Sequence, residues 1–376
     1  MRSVKEEILQ LNTTTNPIIS YSNTNRYRAD IVNADGSKTA YCFGVPIYNI
    51  NSNKLVELRF KKSEKAWQHT GSNVFVNAVN DTISMENKDG ICTLQLEEHM
   101  SYGTDQKLCY GLAGIYPTLN GVALNIRCAQ SEKYKIRLFL SPIYMQLRTN
   151  NRCFSLMKGK FSPYVTVSCI GVLDGHGRIL APCKLEFQKY SDKEYELIIS
   201  HTCPFGNNML IEINMYEEKL FQDTTVESKN PTVNNAFGGT AFIGDSFAYG
   251  EQWLYGRPDT SKLSDLYDKQ ILKAVLYMPE LGGCANIMSY DVSTRFCSFG
   301  SNWQNKIAET VSVSEGISFR GYQEIDITNV LTNQANYIIS ANGYIIRSKK
   351  KNDGFKVIST GDSFYYPQIL KLNYRI

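Results

Sequence analysis

The side chains best suited to catalysis are few in this sequence and widely separated. The four histidines lack the spacing of a metal site; they are His69, His99, His176 and His201. His176 lies in Asp174-Gly-His-Gly177, which is typical of a hairpin turn and provides no partner for a general base. Adjacent residues of a strand point to opposite faces, so Glu97-Glu98-His99 cannot converge on one substrate without a bend. We therefore predict that the protein is not an enzyme.

Two serine-containing fragments carry only part of an esterase nucleophile motif. They are Gly244-Asp-Ser246 and Gly361-Asp-Ser363. A nucleophile of that kind needs a strand–turn–helix context and a histidine further along the chain. No histidine follows His201, so we interpret both fragments as ordinary parts of the β structure.

The sequence predicts no metal and no cofactor. Asp223 or Asp326 could give calcium an oxygen ligand, but the sequence has no Asp/Asn/Gly loop of the calcium-binding type. None of the ten cysteines forms a C-x-x-C pair, which argues against structural zinc. Several cysteines lie inside apolar runs, so we predict scattered buried thiols, although the spacing also leaves a disulfide framework open.

Aromatic residues near the C-terminus are the candidates for ligand contact. Rings in sugar-binding sandwiches stack on the apolar faces of pyranoses. We predict four possible stacking residues: Trp253, Tyr255, Tyr365 and Tyr366. The alternative is that these rings, together with Trp303, fill the core of a β-sandwich.

Charge and hydropathy exclude two classes of partner. The net charge of +4, from 40 basic and 36 acidic residues, is too small to argue for nucleic acid. No stretch approaches the roughly 18 consecutive apolar residues of a membrane span. The first twelve residues contain two glutamates and no long apolar core, so they do not form a secretory signal. The protein then remains in the cell, leaves by a route without a cleaved signal, or is released by lysis.

The elements predicted to position these residues are mostly short strands. Alternating apolar residues and Asp-Gly turns, as in Asn33-Ala-Asp-Gly36, indicate hairpins. Predicted strands are Lys38–Val45, Leu55–Phe60, Ile91–Leu96, Val122–Cys128, Lys133–Leu140, Tyr164–Val172, Lys184–Phe187, Glu194–Ser200 and Met209–Met215. Ser3 and Glu6 have the spacing of a capping box for a short helix over Val4–Leu11. A second short helix is predicted within Ser261–Gln270.

We predict an all-β fold with multiple β-sandwich, jelly-roll-like domains and a short N-terminal arm. Residues 1–25 form the arm, and residues 26–217 form a strand-rich region of one large or two small domains. Residues 218–376 form a further sandwich. Its first and last strands, in Phe221–Asn235 and Ser363–Ile376, are expected to be neighbours, as they commonly are in a jelly roll.

Residues 218–376 carry a series of short motifs in a fixed order: Asp223-Thr-Thr-Val-Glu-Ser-Lys-Asn-Pro-Thr-Val-Asn-Asn235, Phe242-Ile-Gly244, Gln270–Tyr277, Gly300–Trp303, Tyr322–Val330, Gly343–Ser348 and Tyr366–Tyr374. In this order they resemble the motifs of the DNRLRE domain, a β-sandwich akin to carbohydrate-binding modules. The arginine-rich stretch that names the family is represented only by Arg257 and Lys273. Through Asp35-Gly-Ser-Lys-Thr-Ala-Tyr-Cys-Phe-Gly-Val-Pro46, residues 26–217 resemble the strand-rich region that precedes such domains in Gram-positive cell-wall proteins.

The resemblance implies a non-enzymatic bacterial protein at a surface. We expect a structural protein of an extracellular filament, appendage, or spore or cell surface layer, present as a homo-oligomer or larger assembly. The N-terminal arm is the candidate for exchange between subunits. A carbohydrate-binding or adhesion module for glycans is one alternative, and a phage tail or fibre protein is another. A polysaccharide-active enzyme would need paired carboxylates in a cleft within residues 26–217.

Overall fold

The computed structural model describes residues 3–12, 18–20, 25–97, 100–104, 107–141, 146–150, 152–159, 162–283, 290–293, 301–306, 314–333, 338–339, 343–348 and 354–375. The structure is mostly β, with several sheets, which confirms the predicted fold class. It divides into two compact units: unit 1 is Tyr48–Glu217, and unit 2 combines Arg2–Ile47 with Glu218–Ile376. Residues 26–47, which the sequence pattern groups with the strand-rich region, lie in unit 2.

Unit 2 begins with the predicted helix α1 (Val4–Leu11). The Ser3 side chain accepts a hydrogen bond from the Glu6 amide, and the Glu6 carboxylate accepts one from the Ser3 amide, which confirms the capping box. The helix ends where Asn12 becomes extended. Three strands follow: β1 (Ile18–Ser20), β2 (Arg28–Val32) and β3 (Lys38–Phe43). Strands β2 and β3 form the hairpin predicted from the Asp-Gly turn.

Unit 1 consists of antiparallel strands. They are β4 (Lys61–Ser63), β5 (Ala66–Thr70), β6 (Phe75–Val79), β7 (Thr82–Asn87), β8 (Gly90–Leu96), β9 (Met100–Thr104), β10 (Lys107–Tyr110), β11 (Ala113–Pro117), β12 (Gly121–Arg127), β13 (Tyr134–Ser141), β14 (Gln146–Asn150), β15 (Cys153–Gly159), β16 (Ser162–Leu173), β17 (Ile179–Ala181), β18 (Lys184–Lys189), β19 (Glu194–Ser200) and β20 (Asn208–Met215).

Two sheets of unit 1 enclose one apolar core. One sheet has the order β18-β19-β13-β8-β7-β6-β5-β4. The other runs β9-β10-β11-β12-β20-β16-β15-β14. Alternation along β13 buries Ile136 and Leu138 while Arg137 points outward, and both sheets contribute residues to the same buried cluster. Unit 1 is therefore a sandwich whose inner faces follow the period of two that the sequence shows.

The predicted strand Leu55–Phe60 is wrong. Only an isolated bridge between Tyr48 and Leu55 forms there. Local hydrogen bonds, such as Arg59 amide to Glu57 carbonyl, occupy backbone groups that a ladder would use. Val56 and Phe60 are buried as anchors, so the apolar alternation reflects side-chain packing without strand pairing.

The remaining elements of unit 2 follow unit 1 in the chain. They are β21 (Phe221–Glu227), β22 (Thr240–Ser246), β23 (Gly250–Pro258), a 3-10 helix (Thr260–Leu266), β24 (Gln270–Gly283), β25 (Tyr290–Ser293), β26 (Ile317–Phe319), β27 (Tyr322–Asp326), α2 (Thr328–Leu331), β28 (Thr332–Asn333), β29 (Ile338–Ile339), β30 (Tyr344–Ser348), β31 (Phe355–Ser359) and β32 (Ile369–Arg375). The 3-10 helix occupies the place of the predicted second helix.

Unit 2 is built from two sheets that share a core. One has the order β1-β2-β3-β32-β24-β27-β26. In the other, β23 pairs with β21, β30 and β22, and β31 joins β22 to the end of β24. Strand β24 passes from one sheet to the other near Glu280, where its pairing with β27 ends and its pairing with β31 begins. At the end of this strand, Gly283 has a φ of +116°, and an added Cβ would lie 2.5 Å from the Phe355 carbonyl oxygen, so only glycine fits there.

The last strand has different neighbours from those predicted. Strand β32 pairs with β3 and β24, whereas β21 pairs with β23 in the other sheet. Strand β3, from the N-terminal segment, pairs with β32 at the place where the sequence predicts β21. Among the described residues, no helix is long and apolar enough to cross a membrane.

Candidate functional site

Two indole rings meet on one face of strand β23. Alternate residues of a strand share a face, which places Glu251, Trp253 and Tyr255 in a row. The Trp253 and Trp303 rings lie edge to face, with centroids 5.6 Å apart and planes inclined by 65°. Both side chains are partly exposed. The Trp253 Nε1 donates a hydrogen bond to Glu251 Oε1 at 2.8 Å, which fixes the orientation of the ring.

Two cations complete this aromatic site, which we define as Glu251, Trp253, Trp303, Lys306 and Arg347. The Lys306 Nζ lies 3.7 Å from the Trp303 ring centroid and 5.3 Å from that of Trp253. The Arg347 guanidinium lies 5.5 Å from the Trp253 centroid. Burial lowers the pKa of Lys306, and the Glu251 carboxylate opposes that effect. Indole faces beside two cations can contact an apolar sugar face and an anionic substituent together.

The loop after β21 holds the Trp303 segment in place. The Asn234 side-chain amide donates to the Ser301 carbonyl at 2.9 Å and contacts Thr224 Oγ1 at 3.4 Å. The Gln304 amide donates to the Pro231 carbonyl at 3.1 Å. The Asn-Pro segment of the sequence therefore forms the support that brings Trp303 against Trp253.

The other predicted stacking residues are placed differently. Tyr255 is 1% exposed and packs with Val226 and Ile345, so its ring has no face for a ligand. Tyr365 is 8% exposed and lies edge-on to Tyr366, with centroids 4.6 Å apart. Tyr366 remains partly exposed. Of the four predicted residues, Trp253 and Tyr366 thus retain an accessible ring.

A buried ionic cluster lies on the opposite face of β21, toward the core of unit 2. It consists of Lys219, Asp223 and Asp362. The Lys219 Nζ and an Asp362 carboxylate oxygen form an ion pair, and each side chain is only 7% exposed. The Lys219 ammonium also lies 5.7 Å from the centroid of the Phe237 ring. Asp223 is 5% exposed and accepts a hydrogen bond from the Gly361 amide.

Close approach of two chain segments creates this cluster. A Cβ added to Gly361 would lie 2.7 Å from the Phe221 Cβ and 2.8 Å from Asp223 Oδ2. Glycine at position 361 therefore lets the loop before β32 touch β21, and the next residue of this loop is Asp362, which pairs with Lys219. Within the described residues, Asp223 Oδ1 is buried and has no hydrogen-bond partner.

Asp223 is in an unusual electrostatic environment. Burial raises its pKa from 3.8 to about 7, against the smaller opposing effects of the Gly361 amide and the Lys219 charge. The Tyr344 hydroxyl is buried within electrostatic reach of Asp223, and it too has no hydrogen-bond partner among the described residues. A carboxylic acid that is neutral near neutral pH can both donate and accept a proton.

The three histidines in the described part of the chain do not assemble into a site. His69 is buried, its Nε2 is 2.8 Å from the Thr118 carbonyl oxygen, and burial lowers its pKa to about 4. His176 lies in the predicted turn, where its amide donates to the Asp174 carboxylate. His201 is also buried. His99 lies outside the described residues, as does Glu98 of the same predicted trio.

Ser246 and Asp326, the other residues considered for catalysis or calcium binding, make hydrogen bonds to neighbouring residues of the chain. Ser246 lies in β22 and accepts a hydrogen bond from the Tyr249 amide. Asp326 accepts bonds from the amide and hydroxyl of Thr328 at the start of α2. In the described part of the chain, no group of three or more His, Cys, Asp or Glu could hold a metal. The eight cysteines there are free thiols, as predicted, whereas Cys284 and Cys297 lie outside it.

Sequence analysis missed Lys219 and Asp362. A lysine and an aspartate far apart in a chain carry no spacing signal. Gly361-Asp-Ser363 contains Asp362, but its pattern indicates only part of an esterase motif and does not reveal the lysine partner.

Comparison with models of known protein families and with curated protein sequences finds no match.

Proposed function

We propose that this protein is a non-catalytic structural subunit of a bacterial extracellular or surface assembly, joined to its neighbours through helix α1. The all-β fold and the ordered resemblance of residues 218–376 to DNRLRE domains support a structural role. The observation that carries the proposal is the docking of α1, whose apolar side is buried against the rest of unit 2.

Helix α1 depends on its docking site. Val4, Ile8 and Leu11 are fully buried, as expected for apolar residues one helical turn apart. The Leu11 carbonyl accepts hydrogen bonds from Tyr41 Oη at 3.4 Å and Lys371 Nζ at 3.3 Å. An isolated helix of eight residues is unstable in water, so docking supplies most of its stability.

The same contacts can form between copies. Residues 13–17 connect α1 to β1, and an identical docking site is present on every copy. Exchange of an identical element creates no new contact, and at high local concentration it links copies into a chain or ring. Unit 2 of each copy would then provide both the helix that docks and the surface on which a helix docks.

Ile8→Asp tests this role, because it places a carboxylate at the buried, apolar contact between α1 and the rest of unit 2. We expect the variant to self-associate at least about tenfold more weakly, as judged by sedimentation velocity, with both units still folded by circular dichroism. Leu9→Asp is the matched control, since Leu9 lies on the same helix and is 52% exposed. Equal assembly by the two variants would contradict the proposal.

Glycan binding is a second candidate function, favoured by the geometry of the aromatic site. Lys306 and Arg347 beside two indoles suit a glycan that carries carboxylate or phosphate groups. Such binding should weaken as salt screens the charges. In this reading the assembly presents a ligand-binding face on each copy.

Trp253→Ala tests the second candidate by removing the central ring. We expect about tenfold weaker retention on an immobilised acidic polysaccharide, and little change on a neutral one. Phe247→Ala is the control, because Phe247 is 96% exposed in the turn after β22. Absence of binding to both polysaccharides by the unaltered protein would remove this candidate.

A further inference from the structure

We propose that Lys219 and Asp362 become joined by an intramolecular amide bond between their side chains, with Asp223 carrying the proton that the reaction moves. The bond would form within folded unit 2 and needs no other reactant. This inference is independent of the assembly role of α1.

The reacting groups already lie against each other. The Lys219 Nζ contacts a carboxylate oxygen of Asp362, and both side chains are almost completely shielded from water. Reactants held in contact gain the large effective concentrations of intramolecular reactions, on the order of 10⁵ M or more. Ordinary amines and carboxylates in water lack this advantage.

Burial also favours the product over the ion pair. Two charges removed from water carry a desolvation penalty that their attraction only partly offsets. Condensation converts the ammonium and the carboxylate into one neutral amide, so the charges disappear from the core. The Phe237 ring beside Lys219 adds an apolar wall to this region.

The reaction balances without an oxidant or a cofactor. A proton passes from the ammonium to the carboxylate, giving a neutral amine and a carboxylic acid. The Lys219 Nζ attacks the Asp362 Cγ, so that one C–N bond forms. One C–O bond of Asp362 then breaks, and its oxygen leaves as water with two protons. The net change is loss of one water molecule.

Asp223 is placed to move these protons. The Gly361 amide holds its Oδ2 next to the Asp362 segment, and its Oδ1 has no partner among the described residues. The Lys219 charge acts on this carboxyl group directly. A buried acid whose pKa is about 7 can protonate the Asp362 oxygen and accept the proton released by the amine.

The bond would connect the beginning of the segment 218–376 to a loop near its end. Lys219 stands just before β21, and Asp362 lies in the loop that precedes β32. A crosslink there closes a loop through nearly all of residues 218–376, and long loops lose the most unfolded-state entropy. The chain ends of this region would remain joined even when its sheets separate.

Intact mass spectrometry of the denatured, thiol-reduced full chain tests the proposal. The expected mass is lower than that of the sequence by one water molecule, and digestion should yield one branched peptide containing Lys219 and Asp362. Lys219→Arg and Asp362→Ala should show their full sequence masses. Asp362→Asn should form the same amide by releasing ammonia, and so reach the mass of the crosslinked wild type.

Asp223→Ala separates proton transfer from simple proximity. With an unchanged circular dichroism spectrum, this variant should remain largely at its full sequence mass. Complete crosslinking of Asp223→Ala would overturn the role of Asp223. A wild-type chain at its full sequence mass, or a branched peptide joining other residues, would overturn the bond itself.

Discussion

Asp223 occupies a position where an ionised carboxylate is strongly disfavoured. It faces the apolar core of unit 2, receives one backbone hydrogen bond, and leaves one oxygen without a partner among the described residues. The same surroundings hold Lys219, Asp362 and the Tyr344 hydroxyl. Residue chemistry is thus concentrated inside the sandwich, whereas the sequence directs attention to surface aromatics.

The pKa of Asp223 predicts a dependence of stability on pH. The folded-state pKa of about 7 lies above the ordinary value of 3.8, so the folded protein binds more protons between these values. This stabilisation is fully present below pH about 4 and is lost as pH rises through about 7, by about 4 kcal/mol at most. The free energy of unfolding of unit 2 should therefore fall across this range.

Urea unfolding measured from about pH 4 to about pH 8 checks this expectation. The comparison uses Lys219→Arg with and without Asp223→Asn, because arginine keeps the neighbouring charge and cannot form the amide. The variant that retains Asp223 should lose more stability as pH rises. Identical profiles for the two chains would show that Asp223 has no raised pKa.

Local signals explain which residues were predictable. The capping box joins two residues three positions apart, so Ser3 and Glu6 reveal it without tertiary information. The contact of Lys219 with Asp362, and the support of Trp303 by Asn234, depend on strand order. The burial of Tyr255 depends on which face of β23 meets other side chains, and alternation alone does not determine that face.

At the level of elements, the sequence predicts where turns and strands lie better than it predicts which strands pair. The Asp-Gly sequences identified hairpins such as β2–β3, because glycine permits the turn geometry. Alternation also marked Leu55–Phe60, where apolar anchors pack without forming a ladder. Strand β32 was recognisable as a strand, but its pairing with β3 arises from a segment more than three hundred residues earlier in the chain.

Helix α1 is the element that connects fold to proposed function. Its buried stripe of Val4, Ile8 and Leu11 makes it complementary to unit 2. Its Leu11 carbonyl accepts hydrogen bonds from Tyr41 of β3 and Lys371 of β32. The docking surface is therefore formed by both an early and a late part of the chain. The helix is therefore the element in which a change should affect assembly with the least effect on the core.

For the whole molecule, one unit interrupts the other in sequence. Unit 1 is continuous from Tyr48 to Glu217, while unit 2 needs both Arg2–Ile47 and Glu218–Ile376. The motifs that begin just after residue 218 indicated a boundary there, but the membership of residues 26–47 depends on the β3–β32 pairing. In the proposed assembly, the docking helix and the proposed Lys219–Asp362 bond would lie in the same unit.

In the proposed assembly, α1 of one copy occupies unit 2 of another. A photoreactive diazirine residue placed at Leu11 would capture its neighbours in a mixture of copies with natural and heavy nitrogen isotopes. After assembly and illumination, mass spectrometry of the crosslinked peptides distinguishes links within a copy from links between copies. We expect mixed-isotope pairs that join α1 to β3 or β32. Pairs of a single isotope alone, from assembled material, would contradict it.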